Sequence, residues 1–193
     1  MAVKSKKDYS ILIVSSSEQF NTISKKALPP GRFAVTEIRK SASMAKRELL
    51  ERHYDIVLIN APLPDELGVD FAMDVFNRYS CGIIIAIPGE ICDSVTERLI
   101  DYGIITVAKP SRSIALSRAI RLLLAMQERI SSAEKKITKL EDKMEELRIV
   151  SRAKLVLVEK KGMTEEDAQK YILKQAMDRG ITKRAVAEDI LDN

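Results

Sequence analysis

Tryptophan is absent from the 193 residues, histidine occurs once and cysteine twice, and seven glycines and six prolines are thinly spread. Each scarcity excludes something. Few turn-formers and few aromatics weigh against an all-β barrel or sandwich and favour a helix-rich architecture. The single histidine, His53, has no companion cluster, so neither a zinc centre nor a histidine-based catalytic site is expected. Cys81 and Cys92 form no CxxC pair, and no apolar segment follows the lysines of "MAVKSKKDYS" to make a signal peptide. Free thiols and a cytoplasmic location are therefore expected. No run reaches the ~18 uncharged apolar residues that a membrane span needs, so no membrane partner is expected. His, Cys and carboxylates nowhere fall at catalytic spacing, so the chain reads as a non-enzyme without a cofactor or metal.

What is present is unevenly charged. The net charge is +4 overall, yet the segment from Arg148 to Arg184 holds ten Lys/Arg against five Asp/Glu, a local surplus of five. Such a surplus fits a polyanion partner, and it also fits an ordinary solvated helical surface.

Hydropathy alternates in kind along the first half. "SILIVS", "RFAVTEI", "YDIVLIN", "GIIIAI" and "IITVA" read as strands. Between them lie "SSEQFNTISKKAL", "SASMAKRELLERH", "DELGVDFAMDVFNRY" and "EICDSVTERLIDY", which have helical spacing. Ser41 or Ser43 is the expected cap of the second helix, with Ala45, Leu49 and Leu50 on its inner face. Five apolar strands alternating with helices predict an α/β fold, a doubly wound five-stranded parallel sheet covered on both faces.

From Ser111 to Lys161 there is no Pro or Gly. Within that stretch Leu123, Met126, Ile130, Ala133, Ile137, Leu140, Met144 and Leu147 are spaced 3, 4, 3, 4, 3, 4, 3, an unbroken heptad. So narrow a stripe calls for a second helix, and a parallel homodimer seam is the expectation. Across such a seam Arg129 faces Glu134 and Lys136 faces Glu141, both attractive, whereas Lys143 faces Arg148 and marks its end. A helix packed on its own domain is the alternative. Beyond Leu147 the apolar set changes face to Ile149, Val150, Ala153, Val156 and Leu157. Gly162, Thr164, Gly180 and Thr182 punctuate two further helices, with Ala168, Ile172, Leu173, Ala176 and Met177 inward on the first and Ala185, Val186, Ala187, Ile190 and Leu191 as the apolar set of the second. The expected division is an α/β domain over 1–120, a coiled-coil helix over 121–147 and a small three-helix domain over 148–193.

"ILIVSSSE", "IVLINAPLPDELG" and "VAKPSR" resemble the three signature segments of response-regulator receiver domains, the flavodoxin-like or CheY-like fold. The resemblance implies a pocket at the carboxyl ends of the strands made of two metal-binding acids, a phosphoacceptor Asp, a hydroxyl residue and a Lys. Those positions are occupied here by Ser15 and Ser16, Asn60, Ile87 and Lys109. An amide forms no acyl phosphate, and Mg²⁺ needs hard anionic oxygens, so a degenerate pocket is expected, with Lys109 hydrogen-bonded to Asn60 or to loop carbonyls. "RIVSRAKLVLVEKKGMTEEDAQKYILKQAMDRGITKRAVAEDIL" resembles the ANTAR domain, an RNA-binding antiterminator module; Leu155 stands where that family usually has Gly. This second resemblance implies a structured leader transcript with paired hairpins as the ligand. Arg152, Lys154, Lys161, Tyr171, Lys174, Arg179, Lys183 and Arg184 are the candidate RNA contacts. It also allows a regulatory partner protein in place of phosphotransfer. The competing reading is a protein-interaction module without RNA binding, controlled by such a partner.

Overall fold

The computed structural model describes residues 8–192, which divide after Glu128 into two compact units. In the first unit, strands β1 (Tyr9–Val14), β2 (Phe33–Arg39), β3 (Ile56–Asn60), β4 (Gly82–Pro88) and β5 (Ile105–Lys109) form one parallel sheet in the order β2-β1-β3-β4-β5. Helices α1 (Glu18–Ala27), α2 (Ala42–Glu51), α3 (Val69–Arg78) and α4 (Cys92–Leu99) make the crossovers, and α5 (Ser113–Lys161) follows β5.

The apolar strands sort their side chains by the two-residue period of a pleated strand. Leu12, Val14, Val57, Ile59, Ile83 and Ile85 pack under α2, α3 and α4. Their alternates, Ile11, Ile13, Ile56, Leu58, Ile84 and Ala86, pack under α1 and the first turns of α5. Both faces are covered, which explains why these strands read as continuous apolar runs.

Helix boundaries follow local hydrogen bonds. Ser17 caps α1, accepting from the Phe20 amide, and Ser41 rather than Ser43 caps α2, accepting from the Met44 amide. Asp65 reinforces the α2 start from the β3–α3 loop. Its carboxylate accepts from the backbone N–H groups of Ala42 and Ser43, both at 2.9 Å, and these bonds hold its pKa below the usual carboxylate value. "DELG" therefore belongs to the loop, and α3 begins only after Gly68. Leu50, expected on the inner face of α2, is 79% exposed; the buried stripe is Ala42, Ala45 and Leu49, one step around the helix.

The seam residue Leu123 needs a correction. It is 5% exposed and lies in the sheet core with Leu116, Ile120 and Leu124, pressed against the backbone of Gly82. A Cβ at Gly82 would fall 2.5 Å from Leu123 Cδ2. The heptad starts in register with this intramolecular stripe, and periodicity alone does not distinguish a helix seated on a sheet from one seated on another helix. Three polar contacts fix the same end of the unit: the Gln127 amide donates to the Asp55 carbonyl at 2.8 Å, and Glu128 accepts from Arg32 at 2.5 Å and from the Tyr9 hydroxyl at 3.2 Å.

The second unit comprises α5 from Arg129, α6 (Glu165–Arg179) and α7 (Lys183–Asp192). Its core is Val150, Ala153, Leu157, Ala168, Ile172, Ala176, Val186 and Ala187. Gly162 and Gly180 end their helices at positive φ, +63° and +61°, and Thr164 caps α6 by accepting from the Asp167 amide. Leu173 and Met177, expected inward, are exposed, because α6 buries the 168–172–176 row instead.

Gly68 is where the loop after β3 has least freedom. Its φ of +72° and ψ of −37° suit only glycine, and an added Cβ would lie 2.6 Å from Ala61 Cβ. Gly68→Ala is expected to destabilise the first unit by about 2–3 kcal/mol, measured by urea unfolding; an unchanged midpoint would refute this reading of the loop.

Candidate functional site

At the carboxyl ends of β1, β3 and β5 the sheet brings Ser15, Asn60 and Lys109 together. Ser15 is fully buried, and its Oγ accepts from Asn60 Nδ2 at 3.0 Å and from the Ser17 amide at 3.1 Å. On the other side of the amide, Lys109 Nζ donates to Asn60 Oδ1 at 3.1 Å and also to the Ala61 carbonyl. The ammonium faces neutral acceptors, and burial lowers its pKa. Ser16 points away: it is exposed and has no side-chain hydrogen bond among the described residues. Ile87 is buried in the apolar cluster with Ile83, Ile85 and Val95 and adds nothing polar. The expected set of five thus contracts to three side chains, joined by the Ser17 amide and the Ala61 carbonyl, which a side-chain motif does not reveal.

The chemistry of this group follows from its atoms. Asn60 bridges a hydroxyl and an ammonium, and both ends of its amide are engaged. The residues do not fit the Mg²⁺ that receiver domains hold, because no carboxylate joins Ser15 and Asn60 in this hydrogen-bonded group. Among the described residues no group of three or more His, Cys, Asp or Glu is placed to hold a metal ion.

The heptad side chains beyond Leu123 have a different environment. Met126 is 46% exposed, Ile137 55% and Leu147 59%, and Ile130, Ala133, Leu140 and Met144 are exposed with them. From residue 130 to 147 this stripe lies on α5 within the second unit and is exposed, with no apolar cover among the described residues.

The eight candidate RNA contacts fall into three groups. Lys154 is paired with Glu165 at 2.7 Å, Arg179 with Asp189 at 2.7 Å and Arg184 with Glu188 at 2.8 Å. The first two bonds tie α5 to α6 and α6 to α7, and the Lys154 contact lowers the Glu165 pKa. Arg152, Lys174 and Lys183 are exposed and have no ion pair among the described residues. Lys161 lies with Nζ 5.2 Å from the centroid of the Tyr171 ring, and Tyr171 is half-buried against the three-helix core. Lys170 is also exposed without an ion pair among the described residues, four residues before Lys174. Sequence reasoning passed over it, although the i, i+4 spacing to Lys174 was available as a signal.

Among the described residues no helix is long and apolar enough to cross a membrane. Comparison with known proteins places these features. The ANTAR domain family matches residues 138–191. The chain is 34% identical over 147 residues to the transcriptional regulatory protein PdtaR of Mycobacterium tuberculosis, covering 75% of this chain and 71% of that protein. Two solved structures share the fold of the first unit. The signal receiver domain of an HD domain-containing protein from Pseudomonas fluorescens Pf-5 has a TM-score of 0.57 at 24% identity, covering 68% of this chain and 97% of that one. The chemotaxis response regulator CheY4 of Vibrio cholerae has a TM-score of 0.51 at 14% identity, covering 61% and 99%.

Ser15→Ala would leave the Asn60 amide and the Ser17 N–H without their acceptor. A loss of about 1–3 kcal/mol in the stability of the first unit is expected, read by chemical denaturation. A neutral result would show that water replaces the hydroxyl and that Ser15 does not organise the group.

Proposed function

The chain belongs to the receiver–ANTAR family of RNA-binding antitermination regulators, and from that premise we propose that it binds paired hairpins of a leader transcript as a homodimer, without phosphotransfer at its receiver. Binding stabilises the antiterminator form of the transcript at the expense of an overlapping terminator. The protein does this by differential affinity for one RNA fold over another and makes or breaks no covalent bond. The observation that carries the reading is the second unit itself: exposed cations without an ion pair among the described residues, Arg152, Lys174 and Lys183, on a module within the ANTAR match. Phosphates are the natural counter-charge for such a surface, and RNA specificity comes from loop bases.

Two features support the remaining parts. The apolar stripe from Met126 to Leu147 is exposed along one side of α5, and a second copy supplies the same stripe and the complementary pairs Arg129–Glu134 and Lys136–Glu141. In the receiver, an amide at position 60 bonded to Lys109 and Ser15 has neither the nucleophile nor the metal ligands of phosphotransfer. A regulatory partner protein then replaces phosphorylation as the input. The same exposed stripe favours one second reading, a module that docks the helix of another regulator.

Light scattering is expected to give twice the chain mass at micromolar concentration, and Ile137→Asp is expected to give a monomer. A monomeric wild-type protein would instead favour the second reading. Gel shifts with a dual-hairpin leader RNA should show binding that weakens steeply with salt. Combined charge reversal at Arg152, Lys174 and Lys183 should reduce affinity at least about tenfold; unchanged binding would remove this face from the RNA contact. Incubation with labelled acetyl phosphate and Mg²⁺ should leave residues 9–120 unlabelled, and incorporation there would overturn the phosphotransfer part.

A further inference from the structure

Where α5, α6 and α7 meet, the second unit holds a cleft of about 370 Å³. This is within the range of small-ligand sites, about 300–1,000 Å³. Val156, Leu157, Val186 and Ile190 form its apolar lining, and Tyr171 and Gln175 contribute an aromatic ring and an amide. Tyr171, Gln175 and Arg179 are spaced i, i+4 and i+8 on α6, so they line one side of the cleft in a row. Neither the Gln175 amide nor the Tyr171 hydroxyl has a hydrogen-bond partner among the described residues. Arg179 is held in place by Asp189, and the Lys161 ammonium lies over the Tyr171 ring.

This combination selects among ligands. A purely apolar occupant would leave the Gln175 amide without a partner, at the cost that unpaired polar groups carry. An anion without a flat face would make no use of the ring. A nucleobase uses all of it: a π face for Tyr171, an edge of donors and acceptors for Gln175, and an attached phosphate for the cations. The paired donor and acceptor of an Asn or Gln amide match adenine at N6 and N7.

We propose that the cleft receives one unstacked purine of the bound RNA, adenine above all, stacked on Tyr171 with its edge read by Gln175. The base takes the place that Lys161 Nζ holds over the ring, and the ammonium moves to the adjoining phosphate. This deepens the RNA-binding reading and rests on it for the source of the base. It adds a sequence-reading element to a surface otherwise made for phosphates.

The test uses the full-length chain and two readouts. In the first, AMP, UMP and ribose 5-phosphate are titrated while the Val186 and Ile190 methyl and Tyr171 ring resonances are followed by NMR. AMP is expected to shift all three; ribose 5-phosphate is not. The shifts should vanish in Tyr171→Leu, persist in Tyr171→Phe and shrink in Gln175→Ala, with circular dichroism confirming that each variant is folded. In the second, the dual-hairpin RNA should bind Tyr171→Leu about 5- to 100-fold more weakly than wild type, the range expected for one lost base stack. Wild-type RNA affinity in both Tyr171→Leu and Gln175→Ala, with no AMP shifts, would overturn the cleft and leave the RNA-binding reading standing. AMP shifts in a protein that retains no RNA at low salt would support base recognition and remove the RNA reading. Equal shifts from ribose 5-phosphate, or shifts that track protein concentration alone, would assign the cleft to phosphate or to a second copy and overturn the proposal.

Discussion

The repeat of apolar residues along α5 meets three environments in succession, and the rest of the molecule is arranged around that change. Leu116, Ile120, Leu123 and Leu124 are buried against the sheet, and Val150, Ala153 and Leu157 are buried against α6 and α7. Between them, Met126 through Leu147 face solvent. Burying a leucine or isoleucine contributes about 1.5–3 kcal/mol, so the ends of the helix are held by their own cores while its middle has that free energy still to gain. A helix whose middle had to be self-sufficient would carry polar residues at those positions, as it does at the flanking positions 134–136 and 141–143.

The receiver sheet shows a fold whose packing does not depend on the residues at its strand ends. The sheet is held by alternating Ile, Val and Leu on two faces, and none of that packing depends on charge at the strand ends. Several carboxylates crowded at one edge repel one another and need a cation. Ser15 and Asn60 remove the repulsion and close a hydrogen-bonded chain that runs from Ser17 through Asn60 to Lys109 and the Ala61 carbonyl. The loop after Asn60 is kept in place from the other side by Gly68, whose backbone lies directly against Ala61.

Much of this was legible before any coordinates. The strands fall where apolar runs and β-branched residues predict, and Ser41, Thr164 and Thr182 cap helices as their spacing implies. The misses share one cause: periodicity reports which side of a helix is apolar and says nothing about what covers it. Leu123 fits the heptad and is buried in the sheet core, whereas Leu50, Leu173 and Met177 are apolar and exposed. Asp65 opens a segment with helical spacing, yet its carboxylate accepts from the first N–H groups of another helix, at Ala42 and Ser43. Such a contact has no local signature. The pocket was legible in its residue types and not in its reach, since the Ala61 carbonyl and the Ser17 amide are backbone groups that a motif does not name.

Charge counting meets the same limit, and here the structure changes the argument. A surplus of five between Arg148 and Arg184 suggests a uniformly cationic surface. In the folded unit, Lys154, Arg179 and Arg184 are each engaged by a carboxylate, two of them bridging between helices. Exposed pairs of this kind add little stability, yet they fix which side chains point where. Among the described residues of this segment, Arg152, Lys161, Lys170, Lys174 and Lys183 are exposed and have no ion pair. Which of the basic residues keep an uncompensated charge is therefore decided by the positions of Glu165, Glu188 and Asp189. The acidic residues of a basic module are in that sense part of its recognition surface, because they determine where it is positive.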